Sequence, residues 1–137
     1  MSDQSPVVLV VDDDVLMQKL TVTALNHVGH AAVGCTDIRR ATEIVNTTPS
    51  LRVLLSDICL ESGTGPELVR QVRTARPELK VVFMTGGYTN VSFRRTDPVL
   101  HKPFTIQHLQ QIIEMVLNED GTEFEQLPGY EERRRVG

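Results

Sequence analysis

Five side chains in this 137-residue sequence are placed to do chemistry: Asp12, Asp13, Asp57, Thr85 and Lys102. Each stands where a short apolar run stops. Asp is a poor strand residue and costly to bury unpaired, so a carboxylate ending an apolar run such as Leu51-Arg52-Val53-Leu54-Leu55-Ser56 has a task beyond packing. Three carboxylates on one rim repel each other strongly at low effective dielectric, and the cluster calls for a cation. Hard oxygen donors with remaining positions for water suit Mg²⁺ and offer nothing that selects a soft metal. Lys102 adds a point charge and Thr85 a hydroxyl donor. Together these groups would stabilise several anionic oxygens, such as those of a phosphoryl group carried on Asp57.

The elements that must position them are legible from periodicity. Val7 to Val11 reads as a buried strand, followed by a helix with Met17, Leu20, Thr21, Ala24, Leu25 and Val28 inward and Gly29 beyond its end. Ala31 to Cys35 is a weaker strand. Thr36 or Asp37 can cap a helix whose inner face is Ile38, Ala41, Ile44, Val45 and Thr48, and Pro49 prevents its continuation. Leu51 to Asp57 is the third strand, and Gly63 and Gly65 give the following loop turn freedom. A helical stripe of Leu68, Val69, Val72 and Ala75 ends at Pro77, and Lys80 to Thr85 is a fourth strand closed by Gly86-Gly87. Between Tyr88 and Pro98 only Val91 and Phe93 are apolar anchors, so a helix there is short or distorted. Val99 to Lys102 is a brief fifth strand, and Thr105 can cap a last helix with Leu109, Ile112, Ile113, Val116 and Leu117 inward.

Strands alternating with helices imply an α/β fold: a parallel sheet with right-handed crossovers and helices on both faces. In such sheets ligand chemistry gathers at the carboxyl ends of the strands, where all five residues stand.

The length supports one domain, residues 7–118, between an amino-terminal tail, 1–6, and a polar carboxyl-terminal stretch, 119–137, expected to be a mobile tail. The composition, 40% hydrophobic and 23% charged, is that of a soluble globular protein. A formal net charge of -4 provides no basic field for nucleic acid, and Arg133 to Arg135 reads as a solvated tail. Met1 to Pro6 lacks the pattern of a signal peptide and no run reaches membrane-spanning length, so the expectation is a cytoplasmic protein without membrane contact. Cys35 and Cys59 show no paired metal spacing, and His27, His30, His101 and His108 show no ligand spacing.

Val10-Val11-Asp12-Asp13, Leu54-Leu55-Ser56-Asp57 with Gly65 eight positions on, Met84-Thr85-Gly86 and His101-Lys102-Pro103-Phe104 together resemble the receiver domain of two-component response regulators. The resemblance runs from Val7 to Asn118. It implies a flavodoxin-like, doubly wound sheet of strand order 2-1-3-4-5, the order quoted generally for a protein of this family. It further implies that Asp57 accepts phosphate from a histidine kinase or histidine phosphotransfer protein, in a domain that assists its own phosphorylation and dephosphorylation without being an enzyme in the usual sense. Asp12, Asp13, Asp57 and the main-chain carbonyl of Cys59 would hold Mg²⁺, Thr85 and Lys102 would contact phosphoryl oxygens, and the peptide before Pro103 would be cis. An output partner protein is implied, with no DNA-binding domain in this chain.

The sequence departs from the family pattern at three places. Val99 stands where an aromatic switch residue is usual, the interval from Thr85 to Lys102 is short at 102 − 85 = 17 positions, and Glu61 replaces a common Pro. The short interval predicts a reduced fourth helix. Two rival readings follow from the same residues. A receiver-fold binding module that acts without phosphate agrees with Val99 and with the short interval from Thr85 to Lys102. Asp12-Asp13-Asp14-Val15 also fits the opening of haloacid-dehalogenase-like phosphatases, with Asp12 as nucleophile and Asp14 as acid/base.

Overall fold

Uninterrupted Val and Leu runs form strands because both faces of the sheet are covered by helices, leaving no position for a polar side chain. The computed structural model describes residues 5–87, 97–118 and 130–131. In chain order these hold β1 (Val8–Val11), α1 (Val15–His27), β2 (Ala32–Cys35), α2 (Ile38–Thr47), β3 (Val53–Asp57), β4 (Cys59–Leu60), β5 (Gly63–Thr64), α3 (Gly65–Ala75), β6 (Lys80–Thr85), β7 (Val99–His101), α4 (Ile106–Asn118) and β8 (Tyr130–Glu131). The main sheet runs β2-β1-β3-β6-β7-β8. Its first five strands are parallel, which is the expected order 2-1-3-4-5, while β8 pairs antiparallel with β7.

Strand alternation divides the core in two. Leu9, Val11, Leu54, Phe83 and Val99 point to the face covered by α2 and α3, where Ala41, Val45, Leu68 and Val72 meet them. Val8, Val10, Val53, Leu55 and Met84 point to the opposite face, against Leu25 of α1 and Leu109, Ile112, Ile113 and Val116 of α4. Full burial of each such side chain stabilises by about 1.5–3 kcal/mol, so the two faces together hold the strand ends rigidly.

Helix boundaries follow the caps. Asp14 accepts the Met17 amide at the start of α1, Asp37 accepts that of Arg40 at the start of α2, and Thr64 with Glu67 forms a reciprocal capping box on α3. Thr105 Oγ1 accepts the His108 amide at 3.0 Å, as the sequence predicted.

Three details differ from expectation. Leu20 is 54% exposed, not inward. The helix is rolled so that Thr21 and Leu25 are buried, because Gly34 on β2 lets Gln18 and Val22 descend onto the sheet where any Cβ would collide with them. Ala75 ends its helix on the exposed side. Two residues of the stretch expected to be a mobile tail form β8, and the rest of that stretch lies outside the described residues. The stretch expected to hold a short or distorted helix, 88–98, lies outside the described residues except for Asp97 and Pro98, which are not helical. Among the described residues no helix is long and apolar enough to cross a membrane.

Candidate functional site

β1 and β3 are adjacent, and their carboxyl ends deliver Asp12 and Asp57 to one rim. Asp12 is fully buried: its main-chain amide donates to the Cys35 carbonyl at 3.2 Å, and its Oδ1 accepts the Asp14 amide at 3.0 Å. Asp57 is 8% exposed. Lys102 comes from the end of β7, where its amide is tied to the Thr85 carbonyl at 2.8 Å. Its ammonium lies 2.9 Å from Asp12 Oδ2 and 3.0 Å from Asp57 Oδ1. Carboxylate oxygens of Asp12, Asp13 and Asp57 all lie within 4.8 Å of one another. Asp13 is held in place by the main-chain amide of Glu61, 2.9 Å from its Oδ2.

The charges do not balance within the cluster. Burial, and then the neighbouring Asp12 carboxyl, push the Asp57 pKa up from 3.8 to about 7, against the pull of Lys102. Burial alone would lower the Lys102 pKa, but the two carboxylates outweigh it and the net shift is upward. The two directions are compatible, since Lys102 faces two opposite charges whereas Asp57 faces one like and one opposite charge. One ammonium cannot neutralise three carboxylates, so the site is short of positive charge. Three hard oxygen donors at this spacing fit a divalent cation such as Mg²⁺.

The loop behind Asp57 is built closely. The Ile58 amide donates to the Met84 carbonyl at 2.9 Å, and the Gly65 amide to the Ile58 carbonyl at 2.8 Å. β4 and β5 then form a two-residue hairpin that leaves Cys59 exposed on the rim. Gly65 is needed for approach and not for turn freedom, since a Cβ there would strike the Asp57 carbonyl oxygen and press on the Phe83 ring at 3.0 Å. Of these two loop glycines it is Gly63, at φ 150°, whose conformation demands its residue type.

Thr85 reaches the same rim from β6, but its hydroxyl donates to the Gly87 carbonyl at 2.9 Å and accepts the Gly87 amide at 3.3 Å. The Lys102–Pro103 bond is cis, as the resemblance implied. Asp14 is exposed and spent on capping α1, and Asp12 is locked to Lys102, an arrangement unlike the nucleophile and acid/base pair of the phosphatase reading.

Sequence reasoning missed the Glu61 amide on Asp13 and the ion pair of Arg73 with the buried Asp97, 3.2 Å between Nη2 and Oδ1. A main-chain donor leaves no residue signature. The ion pair joins positions 24 apart without a motif.

A family model described as the response regulator receiver domain matches residues 8–114. The response regulator receiver protein CpdR of Brucella abortus is 31% identical over 116 residues, which cover 80% of this chain and 95% of that protein. The sensor kinase CckA of the same organism is 28% identical over 120 residues, covering 82% of this chain, although the chain spans only 13% of that kinase's length. Among solved structures, a CheY-like receiver domain protein from Methanospirillum hungatei superposes with a TM-score of 0.73 at 22% identity, covering 88% of this chain and 99% of the other. The receiver domain of NtrX from Brucella abortus gives 0.71 at 26% identity, covering 81% and 98%.

Proposed function

The chain belongs to the response regulator receiver domain family, and from that membership we propose that it accepts a phosphoryl group on Asp57 and thereby switches a surface read by a partner protein. The observation that carries the reading is the Lys102 ammonium, 3.0 Å from Asp57 and 2.9 Å from Asp12, inside a cluster of three carboxylates short of positive charge.

The donor is a phosphohistidine on a histidine kinase or histidine phosphotransfer protein. An Asp57 oxygen attacks phosphorus in line with the scissile bond. As the O–P bond forms, the N–P bond breaks, and its electron pair leaves with the imidazole nitrogen, which takes up a proton. Asp57 must be ionised to attack, and its raised pKa means that added positive charge at the rim favours the reactive form. Asp12, Asp13, Asp57 and the main-chain carbonyl of Cys59 would hold Mg²⁺. When bound, the ion supplies charge that stabilises both the ionised nucleophile and the phosphoryl oxygens. Lys102 remains beside the acceptor and balances one phosphoryl oxygen. The Thr85 hydroxyl leaves Gly87 and donates to another. That exchange costs two local hydrogen bonds and gains one to a charged oxygen, so it couples the state of Asp57 to the Gly86-Gly87 turn.

The reading is tested by phosphotransfer from purified, autophosphorylated histidine kinases. Label should move to the native chain and not to Asp57→Asn. If no kinase of the host labels it, and partner binding is the same for native protein and Asp57→Glu, the chain is a binding module that acts without phosphate. Val99, buried where the family usually carries a switch aromatic, is the observation that favours this second reading.

A further inference from the structure

β7 is three residues long and lies between β6 and β8. On its inner side it pairs with β6 through Phe83↔Val99, Met84↔Leu100 and Thr85↔His101. On its outer side, among the described residues, it pairs with β8 through Val99↔Glu131 and Leu100↔Tyr130. The Pro98 carbonyl accepts the Phe83 amide at 2.9 Å and the Lys102 amide donates to Thr85 at 2.8 Å, so the even-numbered residues turn their main chain to β6. Alternation then turns the Val99 amide and carbonyl outward, opposite Glu131. Three positions further along is Lys102, whose ammonium bridges Asp12 and Asp57.

We propose that the outer edge of β7 is an interaction surface for an extended strand, occupied in this state by the chain's own Tyr130–Glu131, and that phosphorylation of Asp57 loosens this pairing. The proposal rests on the reading of Asp57 as acceptor. An added phosphoryl group changes the charge that Lys102 balances and draws Thr85 away from Gly87, so the paired ends of β6 and β7 adjust together. β7 keeps its pairing to β6, which the Phe83 and Lys102 amides extend beyond both ends of the strand, and gives up its pairing to β8. A freed strand edge presents unpaired main-chain groups that a partner's extended segment can take up, which supplies an output without the aromatic switch that Val99 lacks. By linkage, strapping by β8 must oppose phosphorylation to the same extent that phosphorylation opposes strapping.

The test follows amide exchange of Val99 by NMR in the full chain, in native protein, Glu131→Pro and Asp57→Asn, with Mg²⁺ and with or without beryllofluoride. Acetyl phosphate and intact mass report acceptor chemistry in parallel. Glu131→Pro removes the donor facing Val99, and exchange there should rise about fivefold or more while Val10 in β1 stays protected. Beryllofluoride should raise Val99 exchange similarly in native protein and not in Asp57→Asn. Mass gain at Asp57 with Val99 exchange unchanged overturns the strap and leaves the acceptor intact. Absence of mass gain overturns the acceptor reading and the coupling with it. Unchanged exchange in Glu131→Pro overturns the pairing itself.

Discussion

Lys102 Nζ sits 2.9 Å from Asp12 Oδ2, a bond between residues 90 positions apart that ties the last strand of the parallel sheet to the first across β3 and β6. Asp12 is fully buried, so without this ammonium its charge would be uncompensated. The same ammonium faces Asp57, and one lysine therefore serves both the stability of the rim and the chemistry at the acceptor.

Lys102→Met should accordingly destabilise the metal-free protein by about 2–4 kcal/mol, because it strands two carboxylates in low dielectric. Urea unfolding with chelator checks this. Added Mg²⁺ should restore part of the loss by taking the place of the ammonium charge. A loss below about 0.5 kcal/mol would show that the pair is solvent-screened like a surface bridge.

The Asp57 carboxyl, with a pKa raised from 3.8 to about 7, is favoured in its protonated form by the folded metal-free state. Its contribution to stability is thus fully present below about pH 4 and is lost as pH rises through about 7. Stability of native protein relative to Asp57→Asn should fall across that window in chelator, and Mg²⁺ should flatten the difference. A difference independent of pH would mean that the carboxyl titrates near its ordinary value.

Gly65→Ala should cost about 2–3 kcal/mol and slow phosphorylation, since its Cβ would strike the Asp57 carbonyl oxygen and the Phe83 ring. Gly87→Ala meets nothing within 4 Å and should change stability by less than about 0.5 kcal/mol. Thermal unfolding of the two variants side by side decides it. Equal losses would show that Gly65 is not wedged against the acceptor loop.

Asp97 is buried against Arg73, which donates to both of its carboxylate oxygens and to the Leu79 carbonyl. Arg73→Ala should destabilise by about 3 kcal/mol, and Arg73→Met with Asp97→Asn by less, because the double change removes the stranded charge. A double-mutant cycle by urea unfolding measures this. Additive losses would place the two groups outside interaction range.

Much of this was readable beforehand for a physical reason. Strands buried on both faces must be apolar throughout, so Val8–Val11, Val53–Asp57 and Lys80–Thr85 announce themselves, and so do the carboxylates that interrupt the pattern. Side chains fixed by long-range geometry do not. Leu20 fits the helical period of α1, yet the missing side chain at Gly34 rolls the helix away from it. Gly65 reads as a turn glycine, whereas its role is to leave room beside Asp57. The pairing of Arg73 with the buried Asp97 has no local signature, because the fold alone brings the two together. β8 lies in polar sequence without periodicity, and pairs with the edge of β7.

Whether Asp57 is a phosphoacceptor is decided by intact-protein mass after incubation with acetyl phosphate and Mg²⁺. Native protein should gain one phosphoryl group, a gain absent in Asp57→Asn and suppressed by chelator. No gain in native protein, or an equal gain in Asp57→Asn, would contradict it.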